Sequence, residues 1–438
     1  MSLSLKPHKK KKIEKFSEQG SFQISSIFCV GVFLAWRDIL RANIWTTLLI
    51  IFVMAITFLN LVVVSGVLIG LVEGAVIAQK EHYTGDLIIS HLPEKNYIED
   101  TQNFLGYLRS LPEVKDVSAR FIQGGAIEAN YKNKEKSTDI TDSARALIAG
   151  IDPYNENAVT GLSRTVIAGE YLSESDFGKI LIGADLLYSY TPIDTPSMRT
   201  LPNVLVGTKV RLLVNGFVRE VEVKGILKSK VGEVDGRVFM IDPEVRGLIG
   251  RTDFNADEIV VKTFPGTDPL HVKEHLLRAD FGKLAKIQTS TEAQPKFLQD
   301  MKTTFGVLGN LIGTVGLIVA SITIFIIIFV NAITRRKSIG ILKGIGINSK
   351  AIELSYVLQA VFYGIFGSVF GLLIIYVFLK PYFDANPINF PFSDGILVVT
   401  PEGAGFRVFV LMFATMIAGY VPAKIVVKQN TLDAILGR

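Results

Sequence analysis

The stretch "ANIWTTLLIIFVMAITFLNLVVVSGVLIGLV", residues 42–72, contains no charged side chain. A helix needs about 20 consecutive apolar residues to cross the hydrocarbon core of a bilayer, so this stretch predicts a membrane-spanning helix. Three later stretches have the same character: residues 303–334 and 354–379 carry no charge, and residues 404–424 carry charges only near their two ends. The sequence therefore predicts four transmembrane helices.

The composition agrees with an integral membrane protein that also has a sizeable polar part. Of 438 residues, 49% are hydrophobic, and the net charge of +5 comes from Lys and Arg residues concentrated beside the apolar stretches. A nucleic-acid-binding surface would instead show a basic stripe with interleaved aromatic residues, so we expect no nucleic-acid partner. The single cysteine, Cys29, excludes an intrachain disulfide.

Lys and Arg residues near the ends of membrane helices accumulate on the cytoplasmic side. Eight of them precede the first span and five lie in residues 335–353, whereas residues 380–403 contain only Lys380. We therefore expect a multi-pass protein of the cell inner (plasma) membrane whose N- and C-termini are cytoplasmic. The predicted cytoplasmic segments are 1–41 (a basic tail and an interfacial helix), 335–353 and 425–438, and the predicted extracytoplasmic segments are 73–302 and 380–403.

Residues 73–302 turn polar and carry the signals of strands and turns. The clearest is "VRLLVNGFVREVEVKGIL", residues 210–227, in which alternating apolar residues flank Asn215-Gly216, a pair suited to the positive φ angles of a tight hairpin. A helical pattern begins after Pro295, and a helix from there to residue 336 would measure about 60 Å, so its first turns would form a stalk outside the bilayer. The predicted fold is an α-helical membrane protein with four transmembrane helices and a large α+β extracytoplasmic domain inserted between helices 1 and 2.

The sequence contains no recognisable catalytic or nucleotide-binding motif. The sequence has no G-x-x-x-x-G-K-[ST] loop for a nucleotide and no nucleophile elbow. His271 and His275 are spaced to share one helix face, but the Glu of the H-E-x-x-H zinc motif is missing, so a solvated helix face is a better interpretation than metal binding. We expect no enzyme activity, no cofactor and no metal in this chain. The near-absence of charge within the spans also argues against an ion-coupled transporter.

Small residues fall on one face of two predicted spans. They recur every three or four residues, which lets two membrane helices approach closely. Glycine is common in membrane helices generally, but its restriction to one face of both spans favours a packing or dimer surface. The glycines are Gly306, Gly309, Gly313 and Gly316 in the second span and Gly364, Gly367 and Gly371 in the third.

The segment "TRRKSIGILKGIGINSKAI", residues 334–352, resembles the signature R-R-x-E-I-G-I-L-K-A-L-G-A that follows the second span in ABC transporter permeases of the MacB/FtsX type, a family that includes the lipoprotein-releasing LolC/LolE permeases. "LAWRDILRANIWTTLL" (34–49) resembles that family's entry into its first span, and "VPAKIVVKQNTLDAIL" (421–436) resembles its C-terminal motif. "AGIDPYNENAV" (149–159) and "GEYLSESDFGKILIGADLL" (169–187) resemble its external domain. The resemblance extends over the chain from about residue 34 to residue 436.

The resemblance implies a permease subunit that dimerises with a second copy or a paralogue and receives energy from a separate ABC ATP-binding subunit. Closure driven by ATP would be transmitted to the external domain, for export or release of a lipoprotein, peptide or amphiphile, and the chain would contact membrane lipid. Ser338 stands where the family usually has Glu, so any salt bridge made by that Glu is in doubt here. The residues assigned to coupling with the ATP-binding subunit are Arg335, Arg336, Lys337, Ile339, Ile341, Leu342, Lys343, Gly344 and Gly346.

The sequence leaves several alternatives open. The three cations at positions 335–337 could serve only as positive-inside anchors, although the two glycines and the cap signal Asn348-Ser349 describe more structure than an anchor needs. The chain could also be a non-transporting, FtsX-like regulator of a cell-wall hydrolase, or a ligand-sensing protein tethered to the membrane without an ATPase. Neither the substrate nor the choice between a homodimer and a heterodimer follows from the sequence.

Overall fold

A computed structural model describes residues 26–133, 142–192, 195, 199–390 and 392–429. Within these residues the chain forms two compact units. The helical unit contains the described parts of Met1–Gly70, Lys302–Ile388 and Ile396–Arg438, and the α+β unit contains those of Leu71–Met301 and Asn389–Gly395. The basic tail before residue 26 and the C-terminal motif beyond residue 429 lie outside the described residues.

The secondary structure runs from a helix at residue 26 to a helix that ends at Val427. The helices are α1 (26–41), α2 (Ile44–Gln79), α3 (Thr101–Ser110), α4 (Pro153–Thr160), α5 (Gly232–Asp235), α6 (Asp242–Leu248), α7 (Pro269–Arg278), α8 (Lys296–Thr334), α9 (Arg336–Gly344), α10 (Ser349–Ile374), α11 (Lys380–Ala385) and α12 (Pro401–Val427). The strands are β1 (Leu87–His91), β2 (Val114–Ala129), β3 (Asp142–Ile151), β4 (Val166–Gly169), β5 (Lys179–Gly183), β6 (Lys209–Val214), β7 (Phe217–Leu227), β8 (Arg237–Ile241), β9 (Glu258–Thr263), β10 (Ala285–Thr289), β11 (Ile388–Phe390) and β12 (Ser393–Gly395).

Four helices among the described residues are long and apolar enough to cross a membrane. The first is α2 continued by a π-helical turn, Lys80–Thr84, and the third is α10 continued by a second π-helical turn and α11. Each of the four extends beyond its predicted span, because hydropathy marks only the apolar length of a helix, whereas backbone hydrogen bonds and caps decide where the helix ends. The four are Ile44–Thr84, Lys296–Thr334, Ser349–Ala385 and Pro401–Val427, against predictions of 42–72, 303–334, 354–379 and 404–424.

The connection predicted over residues 335–353 is shorter in the structure. Only α9 lies within it as a separate helix, because α10 begins at Ser349, where the Asn348 side chain accepts a hydrogen bond from the backbone N–H of Lys350 at 3.0 Å. The last helix begins in the same way, with the Thr400 hydroxyl accepting from the backbone N–H of Gly403. Both helices are therefore capped several residues before their apolar stretch starts.

The loop predicted over residues 380–403 contains regular structure that the sequence did not indicate. After α11, β11 and β12 form a two-stranded sheet, and Asn389–Gly395 belongs to the α+β unit rather than to the helical unit. Lys230 of the α+β unit holds this hairpin: Nζ donates to Oδ1 of Asn389 at 2.8 Å and forms an ion pair with Asp394. Residues Asn389–Gly395 thus belong to the α+β unit although they are separated from the rest of that unit in the sequence.

Six strands of the α+β unit close into a barrel. The order is β2-β3-β8-β5-β7-β6, and β6 pairs with both β7 and β2, which completes the ring. Gly125 of β2 permits this closure, because a Cβ atom there would lie 2.7 Å from the carbonyl oxygen of Leu213 in β6. Large apolar side chains fill the interior, among them Ile127, Ile148, Ile180, Leu212 and Val223.

The hairpin predicted at Asn215-Gly216 is confirmed. Strands β6 and β7 pair antiparallel with Val214 opposite Phe217. The two turn residues have φ angles of 47° and 84°, as the mirror-image turns of two-residue hairpins require.

The first half of β2 also belongs to a second, antiparallel sheet. Its order is β2-β9-β1-β10, and helices α3 and α7 pack against it. Phe104 of α3 and Leu276 of α7 are fully buried with Leu87, Ile89 and Val261 of the strands. The long strand β2 therefore joins an open sheet to the barrel.

Candidate coupling site

Helix α9 joins α8 to α10 and carries most of the residues assigned to coupling. It begins at a break in the helix at Arg335, whose backbone has φ −102° and ψ 15°. The Arg335 guanidinium reaches α1, where Nη1 donates to Oδ1 of Asp38 at 2.6 Å. Oδ2 of Asp38 in turn accepts from Nε2 of Gln359 in α10 at 3.4 Å. One ion pair thus ties the start of α9 to α1 and α10.

The end of α9 is a Schellman motif. Gly346 has a φ of 93°, Ile347 donates its backbone N–H to the carbonyl of Leu342 at 3.0 Å, and Gly346 donates to that of Lys343 at 3.1 Å. Gly344 lies within the helix and has no neighbour near its missing Cβ, so only Gly346 supplies the turn. A Schellman motif needs one left-handed residue, and Gly346 is that residue.

The apolar side chains of α9 divide between two faces. Ile339 is only 4% exposed and Leu342 packs beside it against the core of the helical unit. Ile341 is 49% exposed and Ile345, just after the helix, is 71% exposed. The sequence assigned Ile339, Ile341 and Leu342 to contact with a partner, but Ile339 and Leu342 already pack against the core of the helical unit. Ile341 and Ile345 are the two that a partner can reach.

The cations of the segment have different surroundings. Lys343 caps the C-terminus of α12, since its Nζ donates to the carbonyl of Val427 at 2.9 Å and to that of Gln429 at 3.0 Å. Arg336 is half-buried, and Lys337 is exposed. Arg335 and Lys343 therefore fix α9 at both ends within the chain, and Lys337 faces outward.

Neither this site nor the histidine pair is arranged for metal chemistry. In the part of the chain that the structure describes, no group of three or more His, Cys, Asp or Glu residues could hold a metal ion. His271 and His275 are both exposed on α7.

Two comparisons with known proteins agree with this geometry. Residues 310–431 match the family model described as FtsX-like permease C-terminal, a range that includes all of α9 and α10. Over 241 residues the chain is 24% identical to an uncharacterized ABC transporter permease of Methanocaldococcus jannaschii, and the match covers 53% of this chain and 58% of that relative. The C-terminal part of the chain, residues 310–431, is thus similar to FtsX-like permeases. The resemblance found in its sequence is thus confirmed.

Two solved structures are similar to part of this chain. One is the periplasmic region of MacB from Actinobacillus actinomycetemcomitans, with 16% identity and a TM-score of 0.32, covering 49% of this chain and 92% of that one. The other is the extracellular domain of the noncanonic ABC-type transporter YknZ from Gram-positive bacteria, with 15% identity and a TM-score of 0.31, covering 46% of this chain and 99% of that one.

The glycines assigned to helix packing lie mostly between helices of the same chain. A Cβ atom at Gly367 would lie 2.4 Å from Cβ of Met54, and one at Gly371 would lie 2.6 Å from the Phe58 ring, so α10 and α2 touch through these glycines. Gly364 lies against Met412 and Thr415 of α12. Three glycines of α8 lie against α2: Gly309 against Ser65, Gly313 against Leu61 and Gly316 against Asn60. Gly306 has no neighbour within 4 Å of a Cβ atom placed there.

A buried ionic cluster fixes the end of the first long helix, at the π-helical turn Lys80–Thr84, within the α+β unit. Arg120 of β2 binds Glu156 of α4 at 2.6 Å and Glu258 of β9 at 3.1 Å, and it donates to the backbone carbonyl of Tyr83 at 2.8 Å. The Tyr83 hydroxyl donates to Glu258 at 2.8 Å, and Arg237 of β8 pairs with the same carboxylate. The π-helical turn that contains Tyr83 is thereby bonded to β2 and β9 and is linked through Arg120 and Glu258 to α4 and β8.

The charges in this cluster balance. Burial alone would raise the pKa of Glu258, but the charges of Arg237 and Arg120, with their hydrogen bonds, outweigh burial and lower that pKa to about 2. Sequence reasoning missed the cluster because the partners of Arg120 lie 36 and 138 residues away along the chain. No local pattern marks such a pair.

Proposed function

We propose that this chain is the membrane subunit of an ABC transporter complex and that α9 is its contact with a separate ATP-binding subunit. One observation carries the proposal: α9 is a short helix fixed at both ends, by Arg335 and by Lys343, that leaves Ile341 and Ile345 exposed. Exposed apolar anchors on a rigid helix fit a groove with little loss of conformational entropy. The similarity of residues 310–431 to FtsX-like permeases supports an ATP-binding partner and oligomerisation.

We further propose that the α+β unit lies on the extracytoplasmic side and moves when the partner hydrolyses ATP. The positive-inside distribution of Lys and Arg supports this orientation. Helices α2 and α8 each continue from one unit into the other, and the Tyr83 cluster anchors the end of the first. Such continuous helices could carry movement during export or release of a lipoprotein, peptide or amphiphile.

Affinity purification of the full chain from native membranes tests the first proposal. We expect an ATP-binding subunit to be retained, and we expect ATP hydrolysis by the complex but not by the chain alone. Robust hydrolysis by the chain alone, or retention of a cell-wall hydrolase without any ATPase, would overturn the transporter proposal. The second outcome would instead support a regulator.

Cysteine labelling tests the orientation. With Cys29 replaced by Ser, single cysteines at the exposed positions Tyr154 and Asn386 should react with a membrane-impermeant thiol reagent in intact cells, and one at Lys337 should react only after lysis. Labelling at Lys337 from outside would reverse the topology.

A further inference from the structure

A groove of about 420 Å³ opens beside α9 in the helical unit. Its charged lining consists of Arg37, Asp38 and Arg41 from α1 together with Arg335. Its apolar lining includes Leu34 of α1, Ile339 of α9 and Ile352 of α10. The groove therefore combines an apolar wall with a cationic rim, the combination that suits an amphiphile with a negatively charged head.

The arginines of the groove are not equivalent. Arg335 is already paired with Asp38 at 2.6 Å. Arg37 and Arg41 are exposed, and within the residues that the structure describes neither has a carboxylate partner or a hydrogen bond. Two guanidinium groups one helical turn apart, with five donors each, match the oxygens of a phosphate group. The groove thus has spare positive charge rather than a completed ion-pair network.

The depth of α1 relative to the bilayer follows from its other face. Phe28, Phe33, Trp36 and Leu40 are all exposed and apolar, as expected for a helix that lies in the plane of a membrane surface. Leu34, Arg37, Asp38 and Arg41 recur at i, i+3, i+4 and i+7, so they form a separate face. That face meets the groove, and it stands at the depth of lipid headgroups.

We propose that the groove binds the phosphate of an anionic phospholipid from the leaflet in which α1 lies. Arg37 and Arg41 hold the phosphate, and the first carbons of an acyl chain lie against Leu34 and Ile352. Free inorganic phosphate shares the head-group chemistry but lacks the chain that the apolar wall receives. An acidic segment of a protein partner is the competing occupant, and the apolar lining favours the lipid.

Ser338 provides a sharp test because it lines the groove and is exposed. Ser338→Glu places a carboxylate beside the arginines, where it neutralises them and repels a phosphate. Ser338→Gln adds a side chain of nearly the same size without charge. The two variants therefore separate electrostatic exclusion from steric filling of the groove.

The experiment uses the purified full chain in a neutral detergent and counts bound lipid by native mass spectrometry. The probes are short-chain phosphatidylglycerol, phosphatidylcholine of the same chain length, and inorganic phosphate as competitor. We expect the wild type and Ser338→Gln to prefer phosphatidylglycerol by at least about tenfold, since two basic groups act on one charge. Ser338→Glu and the double variant Arg37→Gln/Arg41→Gln should show little preference, and Lys350→Gln, an exposed cation outside the lining, should behave as the wild type.

Each remaining outcome counts against the proposal. Equal binding of the two lipids by the wild type, or an unchanged preference in Ser338→Glu, would overturn it. Displacement of phosphatidylglycerol by an equal concentration of inorganic phosphate would show a soluble phosphate site instead. Loss of ATP-binding-subunit retention in the double arginine variant with unchanged lipid preference would assign the groove to a protein partner. The lipid measurement needs no ATPase, so its result is independent of the proposed function.

Discussion

Nη1 of Arg335 donates to Oδ1 of Asp38 at 2.6 Å across 297 residues of sequence. The two side chains join the helix that precedes the first span to the break that starts α9. Both are about one-third exposed, so the pair acts in partial contact with solvent. Its main effect is positional: it holds α1 beside the segment proposed for coupling.

Removing that ion pair should loosen α1 without unfolding the helical unit. For Asp38→Asn we expect hydrogen exchange of the amides in residues 36–41 to rise about two- to fivefold, as a partly exposed pair worth roughly 0.5–1 kcal/mol predicts. The exchanged pair Asp38→Arg/Arg335→Asp should restore slow exchange, and Lys337→Gln should leave it unchanged. Equal exchange in Asp38→Asn and the wild type would show that packing alone holds α1.

The division of α9 into two faces makes a second prediction. Ile345→Asp changes a side chain that is 71% exposed, so the protein should fold and insert normally but lose the ATP-binding subunit on purification. Leu342→Asp replaces a partly buried apolar side chain that packs on the core of the helical unit, so it should reduce the yield of folded protein. A fully assembled, active Ile345→Asp complex would refute the contact assigned to α9.

Two glycine-to-alanine substitutions in apolar helices should have opposite effects on the stability of the protein. Gly367→Ala would bring a methyl group within 2.4 Å of Met54, which forces α10 and α2 apart and should cost about 1–3 kcal/mol of stability in overpacking. Gly306→Ala meets no atom within 4 Å and should be neutral or stabilising by up to about 1 kcal/mol, because alanine is the better helix former. Thermal unfolding in detergent would compare them, and similar midpoints would contradict the contact.

The depressed pKa of Glu258 predicts a loss of stability in acid. Its pKa is about 2 in the folded protein and has a usual value of 4.5, so its contribution is complete above about pH 4.5 and is lost as pH falls towards 2. Glu258→Gln should be less stable at neutral pH, because Arg120 and Arg237 lose a buried partner. Between pH 4.5 and 3, the protection of the β9 amides from hydrogen exchange should fall less steeply in full-length Glu258→Gln than in the wild type. Parallel pH curves for the two proteins would contradict the ion-pair account.

The features that the sequence predicted are those set by short-range patterns. Four apolar helices follow from the long uncharged stretches, and the Asn215-Gly216 turn follows from two residues that tolerate positive φ. The family resemblance rested on the contiguous motif around α9 and is confirmed. Each of these signals lies within one segment of the chain.

What the sequence could not predict depends on distant pairings. Closure of the barrel requires β6 to reach β2, with Gly125 opposite Val214, and no local pattern specifies that register. Burial of Ile339 depends on the helices around α9, so periodicity alone assigned it to the partner face. Strands β11 and β12 are held by Lys230, which lies far away in sequence, so the local sequence predicted only a loop there.

The break at Arg335 separates two helices of very different length, α8 and α9. With 39 residues, α8 measures about 58 Å, and with nine residues, α9 measures about 13 Å, at 1.5 Å per residue. If the contacts of Lys343 with the end of α12 opened and both helices turned together about the break, a rotation of about 10° would move the far end of α8 by about 10 Å and the far end of α9 by only about 2 Å. The pair would then act as a lever that multiplies displacement about fourfold and divides force by the same factor.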